Sequence, residues 1–410
     1  MITVLEGGIT EAPGFKAAGV RAGIKKRGLD IMLLVSEDGP VTAAGAFTTN
    51  RVQGAPVIVT KEHLKKGKLG AIVANSGISN AYTGKRGLRD AYKMAQVAAR
   101  LLKIRAANVG VASTGLIGAY MPMKRVEAGI KAAANELSNS REASLNAVKA
   151  IMTTDTIPKE VALRVDLEDG MTATIAGIAK GAGMICPKMK TATMLTFAVT
   201  DVSITSDALK AMLQKAVDKS FNMVNIDNDT STSDMVVVMA NGRAKNRRIT
   251  LDRMDRQFQA GFEHALTELA WMIAGDGEGA TRLIEVQVTG ARNIAEARLA
   301  ARAVAGSNLV KSAVFGKDPN WGRVVAALGY SGAVFDPKDL SLELEGERGS
   351  VELVHRGRPA PKRALARGRD IMKGKEIEII VNLGAGKASA TAWGCDLTYD
   401  YVRINSKYTT

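Results

Sequence analysis

The sequence is poor in the residue types that build disulfide scaffolds, histidine metal sites and aromatic stacking surfaces. Its 410 residues include 2 cysteines, 3 histidines and 4% aromatic residues. Cys186 and Cys395 cannot form a disulfide framework, and a chain of this length does not need one, so we expect two buried, reduced thiols. His63, His264 and His355 lack a ligand spacing such as HxxxH, so the sequence predicts no histidine-based metal site.

Long hydrophobic runs are also missing. The apolar segments are all too short to span a bilayer. The N-terminal stretch MITVLEGGITEAPGF has neither the basic region nor the continuous apolar stretch of a signal peptide. These absences predict a cytoplasmic protein with no membrane partner.

The net charge of +15 has three interpretations. A basic surface can be simply solvated, can attract small acidic substrates, or can bind nucleic acid. The densest clusters, IKKRG from Ile24 and KEHLKKGK from Lys61, are short and have no interleaved aromatic residues. We therefore favour a solvated surface, then anion attraction, and expect no nucleic-acid partner.

The composition is that of a large globular α/β protein. With 46% hydrophobic residues and 41 glycines, the chain can bury a sizeable core, and its length suggests about two structural units. Short apolar runs such as IMLLVSE and GAIVANSG predict strands, whereas 88–104 carries its apolar residues at helical spacing. NVGVASTGLIG predicts a strand that stops at a Thr-Gly turn. SDALKAMLQKAVDKSF predicts a helix capped by Ser206.

Two glycine-rich segments fail as phosphate-binding motifs. GAGKAS, from Gly384, lacks the first glycine of a P-loop at the required offset, and no hydroxyl residue follows Lys387 directly. GDGEGAT does not match GxGxxG either. The sequence therefore gives little support to a nucleotide-binding fold.

The segment GMICPKMKTATMLTF, from Gly183, offers a different chemistry. A threonine hydroxyl is a poor nucleophile, but cleavage of the chain just before it frees an α-amine with a pKa near ~7.7–8 that can act as its base. Such a site needs a threonine at the start of a rigid strand, a small preceding residue and nearby oxyanion donors. Ala192, Thr193 and the following Met-Leu meet the first two needs. Without further information, Thr193 would be interpreted as an ordinary residue at the start of a strand.

Specific motifs occur in order along essentially the whole chain. Besides KGAGMICPKM and ATMLTFAVTD, they include GFKAAGVRAGIKKRGLDIMLL, AGAFTTNRVQGAPV, NSGISNAYTG, STGLIGAYMPM, IMTTDTIPK, DNDTSTSDMVVV, GDGEGATRLIEV, VFGKDPNWGRVVAALGYSG and CDLTYDYVRIN. The chain thereby resembles the ornithine acetyltransferase family, also called the bifunctional glutamate N-acetyltransferase family of arginine biosynthesis.

The resemblance implies a fold and a maturation step. The expected fold is a layered αββα sandwich of the N-terminal-nucleophile type with a smaller C-terminal α/β part. Self-cleavage between Ala192 and Thr193 would give an α chain, 1–192, and a β chain, 193–410. The family suggests that these assemble as an α2β2 heterotetramer.

The resemblance also assigns site residues and a reaction. Thr193 corresponds to the nucleophile, and Thr114 and Gly115 correspond to the oxyanion hole. The implied reaction transfers the acetyl group of N2-acetylornithine to glutamate through an acyl-threonine, by a ping-pong mechanism without metal or organic cofactor. Whether acetyl-CoA serves as a second donor, which would make the enzyme multifunctional, stays open. The substrate-binding positions are Thr154, Lys180, Thr193, Glu278, Asn405 and Thr410.

One departure from the family pattern leaves two candidate nucleophiles. The scissile alanine usually follows the methionine of PxM directly, but here Lys190 and Thr191 intervene. Counting forward from Lys180 selects Thr191, and counting backward from MLTF selects Thr193. We favour Thr193, because it alone keeps both the preceding alanine and the following Met-Leu.

Two other functions remain as alternatives. A related self-processing aminopeptidase or amidase would use the same N-terminal threonine with water as the acceptor. A basic nucleic-acid-binding or scaffold protein that has lost activity is the third interpretation, which salt-sensitive DNA binding without self-cleavage would favour.

Overall fold

A computed structural model describes residues 1–186 and 194–407 of the chain. Strands and helices alternate through both stretches. The strands are β1 (Ile2–Val4), β2 (Phe15–Val20), β3 (Ile31–Ser36), β4 (Val41–Phe47), β5 (Lys68–Leu69), β6 (Ala71–Ile78), β7 (Val109–Leu116), β8 (Lys159–Asp166), β9 (Thr172–Lys180), β10 (Leu195–Thr200), β11 (Met235–Ala240), β12 (Leu283–Ala291), β13 (Ser341–Gly346), β14 (Gly349–His355), β15 (Arg358–Pro359), β16 (Glu376–Asn382) and β17 (Ala388–Cys395).

The α-helices cover the faces of the sheets. They are α1 (Ala55–His63), α2 (Gly84–Leu102), α3 (Met123–Asn135), α4 (Arg141–Ile151), α5 (Ser206–Lys219), α6 (Arg256–Gly275), α7 (Ile294–Gly306), α8 (Asn308–Phe315), α9 (Trp321–Tyr330), α10 (Lys362–Ile371) and α11 (Tyr399–Lys407). Within the described stretches, none of the helices is long and apolar enough to cross a membrane.

Two sheets stack face to face to form the centre of the molecule. A four-stranded sheet has the order β2-β3-β6-β7, and a seven-stranded sheet has the order β1-β8-β9-β10-β11-β4-β5. Leu34 and Ile72 of the first sheet meet Phe197 and Val237 of the second in a buried core. Because side chains alternate between the two faces of a strand, each sheet also presents a second apolar face that must be covered.

Helices cover those outer faces. Helices α1, α2 and α3 pack on the four-stranded sheet, where Met94 joins Leu33 and Val73. Helices α5 and α6 pack on the seven-stranded sheet, where Phe262 joins Val236. The layers therefore follow the order αββα, which confirms the predicted sandwich.

The C-terminal part forms a smaller α/β unit. Its six-stranded sheet has the order β15-β14-β13-β16-β12-β17, and α7 packs on β12 and β17. This sheet also contacts α6 of the sandwich, so apolar residues of both parts belong to one continuous core. The predicted smaller C-terminal part is therefore present.

The apolar run LTFAVT becomes β10, a strand buried along its whole length. Strand β10 lies between β9, which is antiparallel to it, and β11, which is parallel to it. A strand covered on both faces is apolar at consecutive positions rather than at alternate ones, which explains the run. In this register Leu195 is the partner of Lys180, so the end of β9 lies beside the start of β10.

Two local expectations from the sequence are wrong. Strand β7 does not stop at the Thr-Gly pair but continues through it to Leu116, because β6 pairs with it as far as Ile78. Helix α5 is capped by Thr205, whose hydroxyl accepts a hydrogen bond from the Ala208 amide, while Ser206 is its first residue. The expectation of buried free thiols is confirmed for both cysteines.

Candidate active site

A cavity of about 140 Å³ lies where β7 and β9 end and β10 and β11 begin. Six residues that the family resemblance assigns to the site line this cavity together: Thr114, Gly115, Thr154, Lys180, Glu278 and Asn405. They come from segments that are far apart in the sequence. Thr193, Ala192, the competing Thr191 and Thr410 lie outside the described residues, so those assignments stay predictions.

Thr114 and Gly115 stand at the end of β7, directly beside β6. Gly115 is the register partner of Gly77 and has a φ of 124°, a conformation that side chains of L-residues rarely adopt. A Cβ atom at Gly115 would lie 2.3 Å from the carbonyl carbon of Gly77. The close approach of the two strands therefore requires glycine at this position.

Lys180 is the last residue of β9, and its side chain reaches across to β7. Its Nζ donates a hydrogen bond to Thr114 Oγ1 at 3.3 Å, and the residue is only 7% exposed. Burial lowers the pKa of Lys180, while the carboxylates of Asp155, Asp234 and Glu278 act in the opposite direction. The cavity thus contains an ammonium group shared between a hydroxyl and nearby acidic groups.

Asp155 lies behind the wall of the cavity that Thr153 and Thr154 form. Its carboxylate accepts hydrogen bonds from the Thr153 amide at 3.0 Å, from the Gly181 amide at 2.6 Å and from Lys159 Nζ at 2.8 Å. Burial alone would raise the pKa of Asp155, but the ammonium groups of Lys180 and Lys159 outweigh it and hold the pKa well below its usual range. Asp155 is therefore a buried carboxylate ion.

Glu278 faces the cavity from the turn that follows α6. Its amide donates to the Ala182 carbonyl at 2.8 Å, and a Cβ at Gly183 would lie 2.4 Å from its carboxyl carbon. Asn405 of α11 donates from Nδ2 to Glu278 Oε2 at 2.7 Å. The absence of a side chain at Gly183 lets the carboxylate approach the backbone there.

Helix α11 is held over the cavity by a half-buried carboxylate. Asp227 accepts hydrogen bonds from the amides of Met184 at 2.6 Å and Ile185 at 2.9 Å, and from the Tyr401 hydroxyl at 3.4 Å. Burial raises the pKa of Asp227. Burial of the Tyr401 hydroxyl itself, followed by the nearby Asp227 charge, raises the pKa of Tyr401. One carboxyl group therefore connects α11 to the chain just before 187–193.

The cavity also has lining residues to which sequence analysis assigned no role. They form a polar wall of hydroxyl groups and one carboxylate: Ser79, Thr153, Ser231, Thr232, Ser233 and Asp234. The signal was present, because the motifs NSGISNAYTG, IMTTDTIPK and DNDTSTSDMVVV contain all of them. Which of their residues would face the cavity depends on contacts between distant strands.

The cavity suits a small molecule that carries both charges. Lys180 offers a cation for a carboxylate, and Glu278 offers an anion for an ammonium group. In the part of the chain that the structure describes, no His, Cys, Asp and Glu side chains gather in a group that could hold a metal ion. The chemistry of the described walls is that of hydrogen bonding and charge.

The fold is a layered αββα sandwich, and its cavity carries the hydroxyl, ammonium and carboxylate groups of an enzyme site. By sequence, the ArgJ family matches residues 16–410. An arginine biosynthesis bifunctional protein ArgJ from Symbiobacterium thermophilum is 52% identical over 410 residues, which cover 99% of each chain. A glutamate N-acetyltransferase from Methanothermobacter thermautotrophicus is 47% identical over 409 residues, which cover 99% of this chain and 98% of the relative. The chain therefore belongs to the ArgJ family, and it is an acyltransferase.

Two solved structures are also similar to this chain in sequence. An ornithine acetyltransferase from Mycobacterium tuberculosis, crystallised with ornithine, is 41% identical and matches with a TM-score of 0.43 over 46% of this chain and 99% of that one. An arginine biosynthesis bifunctional protein ArgJ from Bacillus halodurans is 42% identical and matches with a TM-score of 0.44 over 46% of this chain and 98% of that one.

Proposed function

We propose that the protein transfers the acetyl group of N2-acetylornithine to glutamate, using Thr193 as the nucleophile. One observation carries this proposal: Thr114, Gly115, Lys180 and Glu278 all line the same cavity. These groups supply two oxyanion donors, one cation and one anion. A zwitterionic N-acetylated amino acid with a cationic side chain needs this combination.

Thr193 becomes available through cleavage of the Ala192–Thr193 bond. The two residues that follow it, Met194 and Leu195, line the cavity, and Leu195 pairs with Lys180. A nucleophile directly before Met194 is therefore adjacent in the chain to a residue that lines the same cavity as the proposed oxyanion donors. Thr191 lies two residues earlier in the chain, so a further span of up to ~7 Å when extended separates it from Met194, which favours Thr193.

The proposed reaction has two half-reactions. In the first, Thr193 Oγ attacks the acetyl carbonyl carbon, its α-amine takes the hydroxyl proton, and the amide nitrogen of ornithine leaves with that proton. In the second, the α-amine of glutamate attacks the ester carbonyl carbon and gives up a proton to the α-amine of Thr193, which passes it to the Thr193 oxygen as the ester C–O bond breaks. The Thr114 hydroxyl and the Gly115 amide stabilise the negative oxygen in both steps.

Substrate binding follows from the charges around the cavity. Lys180 pairs with the carboxylate of the amino acid, and Glu278 pairs with the side-chain ammonium of ornithine. Thr154, Asn405 and Thr410 complete the substrate contacts. The walls exclude water from the acetyl ester, which would otherwise hydrolyse.

Further elements of the proposal concern the mature protein. The α chain, 1–192, and the β chain, 193–410, remain associated, and we propose an α2β2 heterotetramer in the cytoplasm. Strands β9 and β10 come from opposite sides of the cleavage point and pair along six residues, which would hold the two chains together. No organic cofactor or metal is required, and acetyl-CoA is a candidate second donor.

N-terminal sequencing of the purified protein tests the maturation step and distinguishes Thr193 from Thr191. Isotope-labelled N2-acetylornithine then tests the transfer: we expect a labelled acetyl group on the new N-terminal threonine, and labelled N-acetylglutamate when glutamate is added. Thr193→Ala should abolish both cleavage and labelling, whereas Thr191→Ala should retain them. An uncleaved active enzyme would contradict the proposal, and ornithine release without acetylation of glutamate would favour the amidase.

A further inference from the structure

We infer that Asp155 is a positioning residue that keeps the Lys180 ammonium against Thr114, so that the Thr114 hydroxyl hydrogen points to the acyl oxygen. Lys180 then has a role in the chemical step besides holding a substrate carboxylate. Thr114 is an oxyanion donor only under the proposed function, so this role rests on that function.

The direction of the Thr114 hydroxyl follows from the hydrogen-bonding capacity of an ammonium group. A lysine ammonium has three donors and no acceptor, so Thr114 Oγ1 must be the acceptor in its 3.3 Å contact with Lys180 Nζ. The hydroxyl hydrogen is then left to point elsewhere, and Thr114 lines the cavity. A hydroxyl that accepts from a cation is also polarised into a better donor.

This arrangement works only while Lys180 is charged. A neutral amine could accept the Thr114 hydrogen, which would turn the hydroxyl away from the acyl oxygen. Burial favours the neutral amine, so a compensating carboxylate is needed. Asp155 supplies it from a side chain that is fully buried, and it also fixes the end of β9 through the Gly181 amide at 2.6 Å.

Asp155 is itself held by Lys159, a buried lysine that bridges two carboxylates. Lys159 Nζ lies 2.8 Å from Asp155 Oδ1 and 2.5 Å from Asp276 Oδ2. Asp276 also accepts hydrogen bonds from the Thr156 amide at 2.9 Å and from the Thr156 hydroxyl. Since Asp276 stands two residues before Glu278, this chain of charges connects three walls of the cavity.

Charges of both signs act on Lys180. The carboxylates of Asp155, Asp234 and Glu278 favour its ammonium form, and the ammonium of Lys159 disfavours it. Lys25, whose Nζ donates to the Met152 carbonyl at 2.8 Å, is a further positive neighbour. The protonation of Lys180 is therefore balanced by groups that can be removed separately and with opposite effects.

Two substitutions test the role of Asp155. They should shift the alkaline limb of the pH profile of kcat/KM in opposite directions. Asp155→Asn removes a negative charge, so Lys180 should lose its proton at lower pH and the alkaline limb of kcat/KM should move down by about one pH unit or more. Lys159→Met removes a positive charge, so the same limb should move up. The acid limb, which the α-amine of Thr193 sets, should stay in place in both variants.

A purely structural role gives a different result. General damage from Asp155→Asn would lower kcat equally at every pH, whereas loss of the Lys180 charge should be recovered below the shifted limb. Asp155→Glu should restore most of the wild-type profile. If Lys159→Met fails to fold, the double variant Asp155→Asn/Lys159→Met removes one charge of each sign, and its limb should return towards that of the wild type.

A matched control lies at the opposite end of β9. Asp201 is also a buried carboxylate that accepts from a β9 amide, that of Thr174, at 2.7 Å, but it is remote from the cavity. Asp201→Asn should leave the alkaline limb unchanged. An unmoved limb in Asp155→Asn, or shifts of the same sign in both test variants, would overturn the role of Asp155.

A double-mutant cycle separates this role from the proposed function. In a Thr114→Val background the hydroxyl is gone, so Asp155→Asn should no longer produce its full loss of kcat. Fully additive losses would contradict the connection through Thr114. If the wild-type enzyme transfers no acetyl group at all, the proposed function fails instead.

Discussion

Asn405 and Glu278, which are 127 positions apart, share a 2.7 Å hydrogen bond at the mouth of the cavity. Asn405 donates through its amide nitrogen, so it orients one carboxylate oxygen and leaves the other for a ligand. A helix near the end of the chain thereby shapes the anionic side of the pocket. The charge of Glu278 is then the feature that distinguishes a cationic substrate from a neutral one.

Glu278→Gln should raise the KM for N2-acetylornithine by about 10- to 100-fold, because a hydrogen bond to a charged group is worth roughly 1.5–3 kcal/mol. The KM for glutamate should change much less, since glutamate has no side-chain ammonium. Steady-state kinetics with each substrate varied in turn measures the split. Glu263→Gln, the same change at a half-buried position where α6 faces α5 and which does not line the cavity, is the control and should alter neither value. Equal increases in both KM values would contradict the assigned role.

Gly115→Ala should be far more damaging than Gly118→Ala, three residues along the same segment. Both glycines have a positive φ, which costs an L-residue about 1–2 kcal/mol. At Gly118 a new Cβ meets no atom within 4 Å, whereas at Gly115 it would lie 2.3 Å from backbone of β6. Thermal unfolding of the two variants measures the difference. A similar midpoint for both would show that β6 and β7 can separate at no cost.

Thr205→Ala should lower the free energy of unfolding by about 1 kcal/mol, the usual cost of losing an N-cap side chain. Ser206→Ala should have little effect, because the Thr205 hydroxyl is the one that accepts from the Ala208 amide. Denaturant unfolding of both variants is the measurement. A larger loss from Ser206→Ala would restore the cap that the sequence alone suggested.

Thr205 and Ser206 illustrate what could and could not be predicted from the sequence. The helix was predictable from the apolar spacing within SDALKAMLQKAVDKSF. Its first residue was not, because either of two adjacent hydroxyl residues can cap a helix and only the backbone geometry decides between them. The buried strand β10 was predictable for the opposite reason, since six consecutive apolar or small polar residues fit few other environments.

The candidate site divides in the same way. Motifs identified Lys180 and Glu278 because each lies in a distinctive local stretch. The ion pair between Lys159 and Asp276 spans 117 positions and depends on how β8 lies beside α6, so no local pattern could indicate it. The pairing of β9 with β10 across the predicted cleavage point is likewise a property of the folded sheet.

Asp155→Asn and Asp201→Asn should change the pH dependence of stability in opposite directions. The pKa of Asp155 is depressed on folding, so its ion contributes stability above the unfolded-state pKa of about 3.9 and loses it as the pH falls further. The deficit of Asp155→Asn should therefore be largest near neutral pH and shrink towards pH 3. Burial raises the pKa of Asp201, so its ion costs stability as the pH rises through the unfolded-state pKa towards the raised one. Relative to wild type, Asp201→Asn should gain stability between pH 3 and pH 7. Thermal unfolding of the three proteins across this range measures both trends, and parallel curves would show that neither carboxyl group changes its pKa on folding.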